Sequence, residues 1–122
     1  PQEAMAAIPT LRMLATPLEE LTRRARALVR RLKALGLPRL GVGLADGVSR
    51  VGGGALPLAA PATKLVTVKV EGVSPTRLEE ALRASDPPII CRLEDGRLLL
   101  DVRTMLADDA AVIVRVLAGL AA

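Results

Sequence analysis

Polar and apolar positions in "TPLEELTRRARALVRRLKALGLP", residues 16–38, repeat with a helical period. Leu18, Leu21, Ala25, Leu28, Leu32 and Leu35 recur at alternating spacings of three and four, which draws one apolar stripe along a helix. Thr16 as N-cap, Pro17 at the first helical position and Glu19 completing a capping box predict its start, and Gly36 and Pro38 its end. Glu19 with Arg23 and Glu20 with Arg24 stand at i,i+4 in the favourable order, each pair adding about 0.2–0.5 kcal/mol.

A period of two then takes over. In "LGVGLADGVSRV" Leu40, Val42 and Leu44 alternate with small residues, which predicts a strand with one packed face and a turn or bulge at Asp46-Gly47. In "KLVTVKVEG" Val66, Val68 and Val70 share one face, and Leu65, Thr67, Lys69 and Glu71 the other, a second strand. Ser74 as cap and Pro75 at the first position open a short helix carrying Leu78, Ala81 and Leu82, which closes before "DPP" at 86–88. A last helix starts near Asp108 and Asp109, whose charges suit the positive end of a helix dipole, and buries Val112, Ile113, Val116, Leu117 and Leu120.

The strongest local signal is "IICRLEDGRLLLDVR", where Asp95-Gly96 between alternating runs predicts a hairpin with a two-residue type I′ turn. That turn sets Glu94 opposite Arg97, Leu93 opposite Leu98, Arg92 opposite Leu99, Cys91 opposite Leu100, Ile90 opposite Asp101 and Ile89 opposite Val102. Ile89, Cys91, Leu93, Leu98, Leu100 and Val102 then form an apolar face, with Arg92, Glu94, Arg97, Asp101 and Arg103 on the other. Three guanidiniums near two carboxylates on that face can hold an anion or neutralise one another, and Arg92, diagonal to Asp101, is within reach of an ion pair with it. The expected fold class is α+β, a small antiparallel sheet with helices packed on one face.

A chain of 122 residues, 51% hydrophobic and 25% charged, fits one globular domain over residues 1–122. Phe, Tyr, Trp and His are absent, so the core must be aliphatic. Without imidazole there is no histidine base, no Ser-His or Cys-His nucleophile pair and no histidine metal ligand, and without aromatic rings RNA contacts would go through Arg and Lys. No metal site is expected. Cys91, the single cysteine, excludes an intrachain disulfide, and reads as a core residue rather than a nucleophile. No leader-like segment or membrane-length apolar run is apparent, which points to a cytoplasmic protein with no membrane partner. The net charge of +4 is concentrated, since Arg23, Arg24, Arg26, Arg30, Arg31, Lys33 and Arg39 lie close together. Such a run is ordinarily a solvated helix face, and it can also meet phosphates.

"VGGGALP" at 51–57 lacks the strand–GxxxxGK[ST]–helix context of a phosphate loop, and Pro57 and Pro61 after it favour a shaped turn. Taken with "IPTLRMLATPLEEL" at 8–21 and "DPPIICRLEDGRLLLDVRTM" at 86–105, however, it resembles the C-terminal part of the bacterial selenocysteine synthase (L-seryl-tRNA(Sec) selenium transferase) family. The three motifs keep their order and approximate spacing. Cys91 stands where the family commonly has a small residue, and the segment after VGGGALP lacks an aromatic often found there.

The resemblance implies the C-terminal small domain of a fold-type I pyridoxal-phosphate enzyme, not catalytic alone, whose cofactor lysine lies outside this chain. It implies a reaction turning seryl-tRNA(Sec) into selenocysteinyl-tRNA(Sec) with selenophosphate, carried out by a homo-oligomer together with the rest of the enzyme chain. No catalytic residue is assigned here. Arg92, then Arg103, are the expected substrate-facing side chains, and Gly52, Gly53 and Gly54 the expected loop near the cleft. Two other readings are a stand-alone basic module binding structured RNA through the first helix, and the same domain of a related pyridoxal-phosphate lyase.

Overall fold

A computed structural model of the chain describes residues 15–49 and 61–122. The elements run α1 (Leu18–Lys33), β1 (Leu40–Val48), β2 (Ala62–Val70), α2 (Pro75–Arg83), β3 (Arg92–Glu94), β4 (Arg97–Asp101), a 3-10 turn (Val102–Thr104) and α3 (Asp109–Ala121). This is the order the periodicity predicts. The strands form one antiparallel sheet in the order β1-β2-β4-β3.

Among the described residues, helices α1, α2 and α3 cover one face of the sheet. Val66, Val68 and Val70 of β2 and Leu98 and Leu100 of β4 meet Leu21, Ala25, Leu28 and Leu32 of α1, Leu78 and Leu82 of α2, and Val112, Ile113 and Leu117 of α3 in one buried cluster. The α+β class with helices on one side is therefore the observed one. The core is aliphatic, and each fully buried Leu or Val contributes about 1.5–3 kcal/mol.

Local signals held where the backbone alone decides them. Asp95 and Gly96 both have positive φ, 54° and 73°, as a type I′ turn requires. Ser74 caps α2, its hydroxyl accepting from the Arg77 N–H at 3.1 Å. Beyond the Ala34 C-cap of α1, Gly36 takes a positive φ of 65° and turns the chain away from the helix.

Four expectations are corrected. The N-cap of α1 is Pro17 rather than Thr16, with no side-chain cap bond, so the capping box through Glu19 does not form. The reason is local: Pro17 is extended, with ψ 152°, and its carbonyl accepts from Glu20 and Leu21. Arg23 accordingly pairs with Glu20, not Glu19, and Arg24 with Glu20 at 3.0 Å.

Asp46-Gly47 makes neither turn nor bulge. Both sit in an unbroken β1–β2 ladder, opposite Lys64 and Thr63, and Asp46 forms an ion pair with Lys64. Gly47 is there for space, because a Cβ would lie 2.7 Å from Leu65 Cδ1. The hairpin keeps the predicted register for Arg92, Leu93 and Glu94, but the pairs beyond it do not form. Ile89 is buried and donates its N–H to the Leu82 carbonyl of α2 at 2.9 Å, which draws residues 89–91 away from β4 and leaves Ile90 exposed.

Candidate functional site

The sheet face away from the helices carries different chemistry. By strand parity it presents Gly43, Ala45 and Gly47 of β1, Thr63, Leu65 and Thr67 of β2, Leu99 and Asp101 of β4, and Arg92 and Glu94 of β3. Leu65 and Leu99 are nevertheless buried, and so are Ser49, Thr63, Asp101 and Arg103.

Asp101 is the hub. Its Oδ1 accepts from Thr63 Oγ1 at 2.7 Å and from the Arg103 N–H at 3.0 Å, and its Oδ2 accepts from Ser49 Oγ at 2.7 Å. Bonds to an ionised acceptor are roughly twice as strong as neutral ones, and here they tie the end of β1, the start of β2 and the end of β4 together. The Arg103 guanidinium reaches further, donating from Nη1 to the Thr16 carbonyl at 2.8 Å and from Nη2 to the Ala62 carbonyl at 2.7 Å. Thr16, expected as a cap, thus supplies an acceptor for Arg103.

Arg92 stands on the same face. Its Nη1 donates to the Val48 carbonyl at 2.8 Å, its Nε lies 3.9 Å from Glu94, and its side chain is 15% exposed. The expected Arg92–Asp101 ion pair is not the observed arrangement: Asp101 is engaged by the two hydroxyls and a backbone N–H, and Arg92 by a carbonyl. The acceptors of the two arginines, Val48 and Ala62, are opposite each other in the ladder. Both side chains therefore grip the two strand ends that flank residues 50–60. Gly52, Gly53 and Gly54 lie outside the described residues, but the structure brings Arg92, Arg103 and the flanks of their segment to one place.

Beside this clamp opens a cavity of about 500 Å³ lined in part by Ile90, Cys91, Arg92, Asp101, Thr104 and Asp109. Asp109 accepts from the Leu106 N–H at 2.9 Å. Burial, with a smaller contribution from Glu79, pushes the Cys91 thiol up to about 11, Arg83 opposing, so it is a protonated wall residue near neutral pH. The cavity thus brings together a guanidinium, two hydrogen-bonded carboxylates and an unreactive thiol, a set that supplies no nucleophile. Among the described residues no group of three acidic, cysteine or histidine side chains is placed to hold a metal, and no helix is long and apolar enough to cross a membrane.

Reasoning from sequence missed Ser49 and Thr63. The available signal was two small hydroxyl residues at strand ends on the parity of Asp101, which becomes informative only once β2 is known to lie between β1 and β4.

Fold and site together define a small helix-backed antiparallel domain whose face away from the helices carries a buried polar clamp. The model of the L-seryl-tRNA selenium transferase family matches residues 1–106. The L-seryl-tRNA(Sec) selenium transferase of Geobacter sulfurreducens is 49% identical over 98% of this chain and 26% of its own length. That of Geobacter metallireducens is 43% identical over 97% of this chain, and that of Desulfovibrio desulfuricans 47% over 96%, covering 26% and 25% of those proteins. The chain belongs to the L-seryl-tRNA selenium transferase family. It spans about a quarter of the length of the curated relatives it matches.

Proposed function

We propose that this chain is the C-terminal small domain, residues 1–122, of a selenium transferase that converts seryl-tRNA(Sec) to selenocysteinyl-tRNA(Sec) with selenophosphate. The observation that carries this reading is 49% identity running through 98% of the chain while covering only 26% of the relative. Its partners are then the rest of the enzyme chain, the tRNA and selenophosphate, within a cytoplasmic homo-oligomer. The same identity favours this enzyme over a stand-alone RNA-binding module.

Pyridoxal phosphate supplies an electron sink in enzymes of this kind. The residues described here do not by themselves fit it. Lys33 and Lys69 are exposed, Lys64 is paired with Asp46, and none of the three lines the cavity beside Asp101. In this reading the domain is a cleft wall and not a catalyst. Arg92 is its substrate-facing side chain, because only one of its donors is committed to a carbonyl. Arg103 comes second, behind its two backbone bonds, and Gly52, Gly53 and Gly54 remain the proposed loop near the cleft.

The test uses the full-length enzyme and this chain in parallel. Selenium transfer to seryl-tRNA(Sec) and borohydride trapping of pyridoxal phosphate on one lysine are expected for the former and neither for the latter. Specific labelling of a single lysine in this chain would overturn the assignment. Arg92→Lys in the full-length enzyme is expected to raise KM for the anionic substrate while costing no more stability than the single Val48 carbonyl bond, about 0.5–1.5 kcal/mol, since Lys keeps the charge but loses the planar fork. Unchanged KM and kcat would remove Arg92 from the cleft.

A further inference from the structure

Helix α1 carries six basic and two acidic side chains, a surplus of four that equals the net charge of the entire chain. The other basic and acidic residues, eleven of each, balance. The charge is also ordered on the helix. Leu21, Ala25, Leu28 and Leu32 face the sheet, and the opposite side exposes Arg23, Arg26, Arg30 and Lys33 at spacings of three, four and three, one stripe about 15 Å long. Arg31 stands exposed on its flank.

These cations are largely uncommitted. Glu20 takes Arg23 and Arg24, and Arg39 donates to the Leu120 carbonyl at 2.7 Å, which removes it from the basic run. Among the described residues, Arg26, Arg30, Arg31 and Lys33 have no ion-pair partner. A row of free charges on a helix fixed by its buried side is a surface prepared for a polyanion. A membrane fits less well, because interfacial helices bring large apolar groups beside the basic ones, and here the apolar stripe is spent on the core.

We propose that the Arg26, Arg30 and Lys33 stripe, extended by Arg23 and Arg31, is a contact surface for the sugar-phosphate backbone of the tRNA substrate. This rests on the reading under Proposed function. With no aromatic residue to stack a base, the contact is electrostatic, reads no sequence, and is separate from the clamp around Asp101.

The experiment titrates seryl-tRNA(Sec) onto the full-length enzyme between about 50 and 200 mM salt, where each phosphate contact contributes about 0.7–0.9 to the slope of log affinity against log salt. The triple variant Arg26→Gln/Arg30→Gln/Lys33→Gln is expected to bind about tenfold or more weakly at the low end and to lower the slope by about 2, with kcat at saturating tRNA retained. Arg26→Lys/Arg30→Lys should keep the slope, and so should the control Arg77→Gln/Arg115→Gln, exposed cations on other helices. A folded triple variant with unchanged affinity and slope overturns the proposal. A triple variant that loses assembly or vesicle binding but keeps its tRNA affinity and slope also overturns it, assigning the stripe to a protein or lipid surface. Absence of tRNA binding or selenium transfer in the unmutated enzyme is a separate failure, that of the functional reading itself.

Discussion

The two faces of the sheet are held by different physics. Toward the helices, Val66, Val68, Leu98 and Leu100 pack with Leu21, Leu78 and Ile113, all apolar, so no bond direction is specified and cohesion scales with buried area. On the opposite face, cohesion is directional: one carboxylate, two hydroxyls and two guanidiniums fix specific strand ends at 2.7–3.0 Å. The apolar side supplies most of the buried area, whereas the polar side fixes the end of β1 against the start of β2. A fault on the first should reduce stability broadly. A fault on the second should also change the geometry of the clamp.

The largest expected effect is on the helix side. Leu98→Ala, at a fully buried position, should cost about 2–5 kcal/mol in denaturant unfolding, and Leu98→Met less than about 1.5. Equal costs for the two would contradict a close-packed core. Asp101→Ala is of the same order, stranding the Ser49 and Thr63 hydroxyls at about 1–3 kcal/mol for each buried group left unpaired. Asp101→Asn, which keeps one carbonyl acceptor, should lose less, and amide exchange should rise at Ser49 and Arg103 more than in α2.

Gly47→Ala probes the boundary between the faces. The added Cβ meets the end of the buried Leu65 side chain, and overpacking of this kind costs about 1–3 kcal/mol. A neutral result would mean that Leu65 rotates freely and that the outer face is loosely packed. The smallest effect is on pH dependence. Because folding raises the Cys91 pKa from 9.0 to about 11, the folded state holds a proton that the unfolded chain releases, so stability is complete below pH 9 and declines as pH rises toward 11. Cys91→Ala should remove that part of the decline. Alkylation of Cys91 should remain slow at pH 8, and rapid labelling there would show an open cavity wall.

Legibility follows the range of the forces. The stripe of α1, the alternation of β2, the Ser74 cap and the Asp95-Gly96 turn were readable because each is settled within a few residues by spacing or backbone sterics. The resemblance in three motifs was equally legible, and it named the family. The two clamp arginines were legible only in part. Parity placed Arg92 and Arg103 on the polar face, but their partners, the Val48, Thr16 and Ala62 carbonyls, lie 41–87 residues away in sequence.

The sequence by itself determined the elements, an aliphatic core, the concentration of charge on one helix and the family. Tertiary structure decided the rest. The order β1-β2-β4-β3 set Asp101 beside Thr63 and Ser49, the bond from Ile89 to α2 shortened the hairpin, and Leu65 made Gly47 a packing position rather than a turn. The physical reason is that periodicity and propensity act over one or two turns of chain, whereas a buried hydrogen bond is specified only when strands distant in sequence have taken their final neighbours.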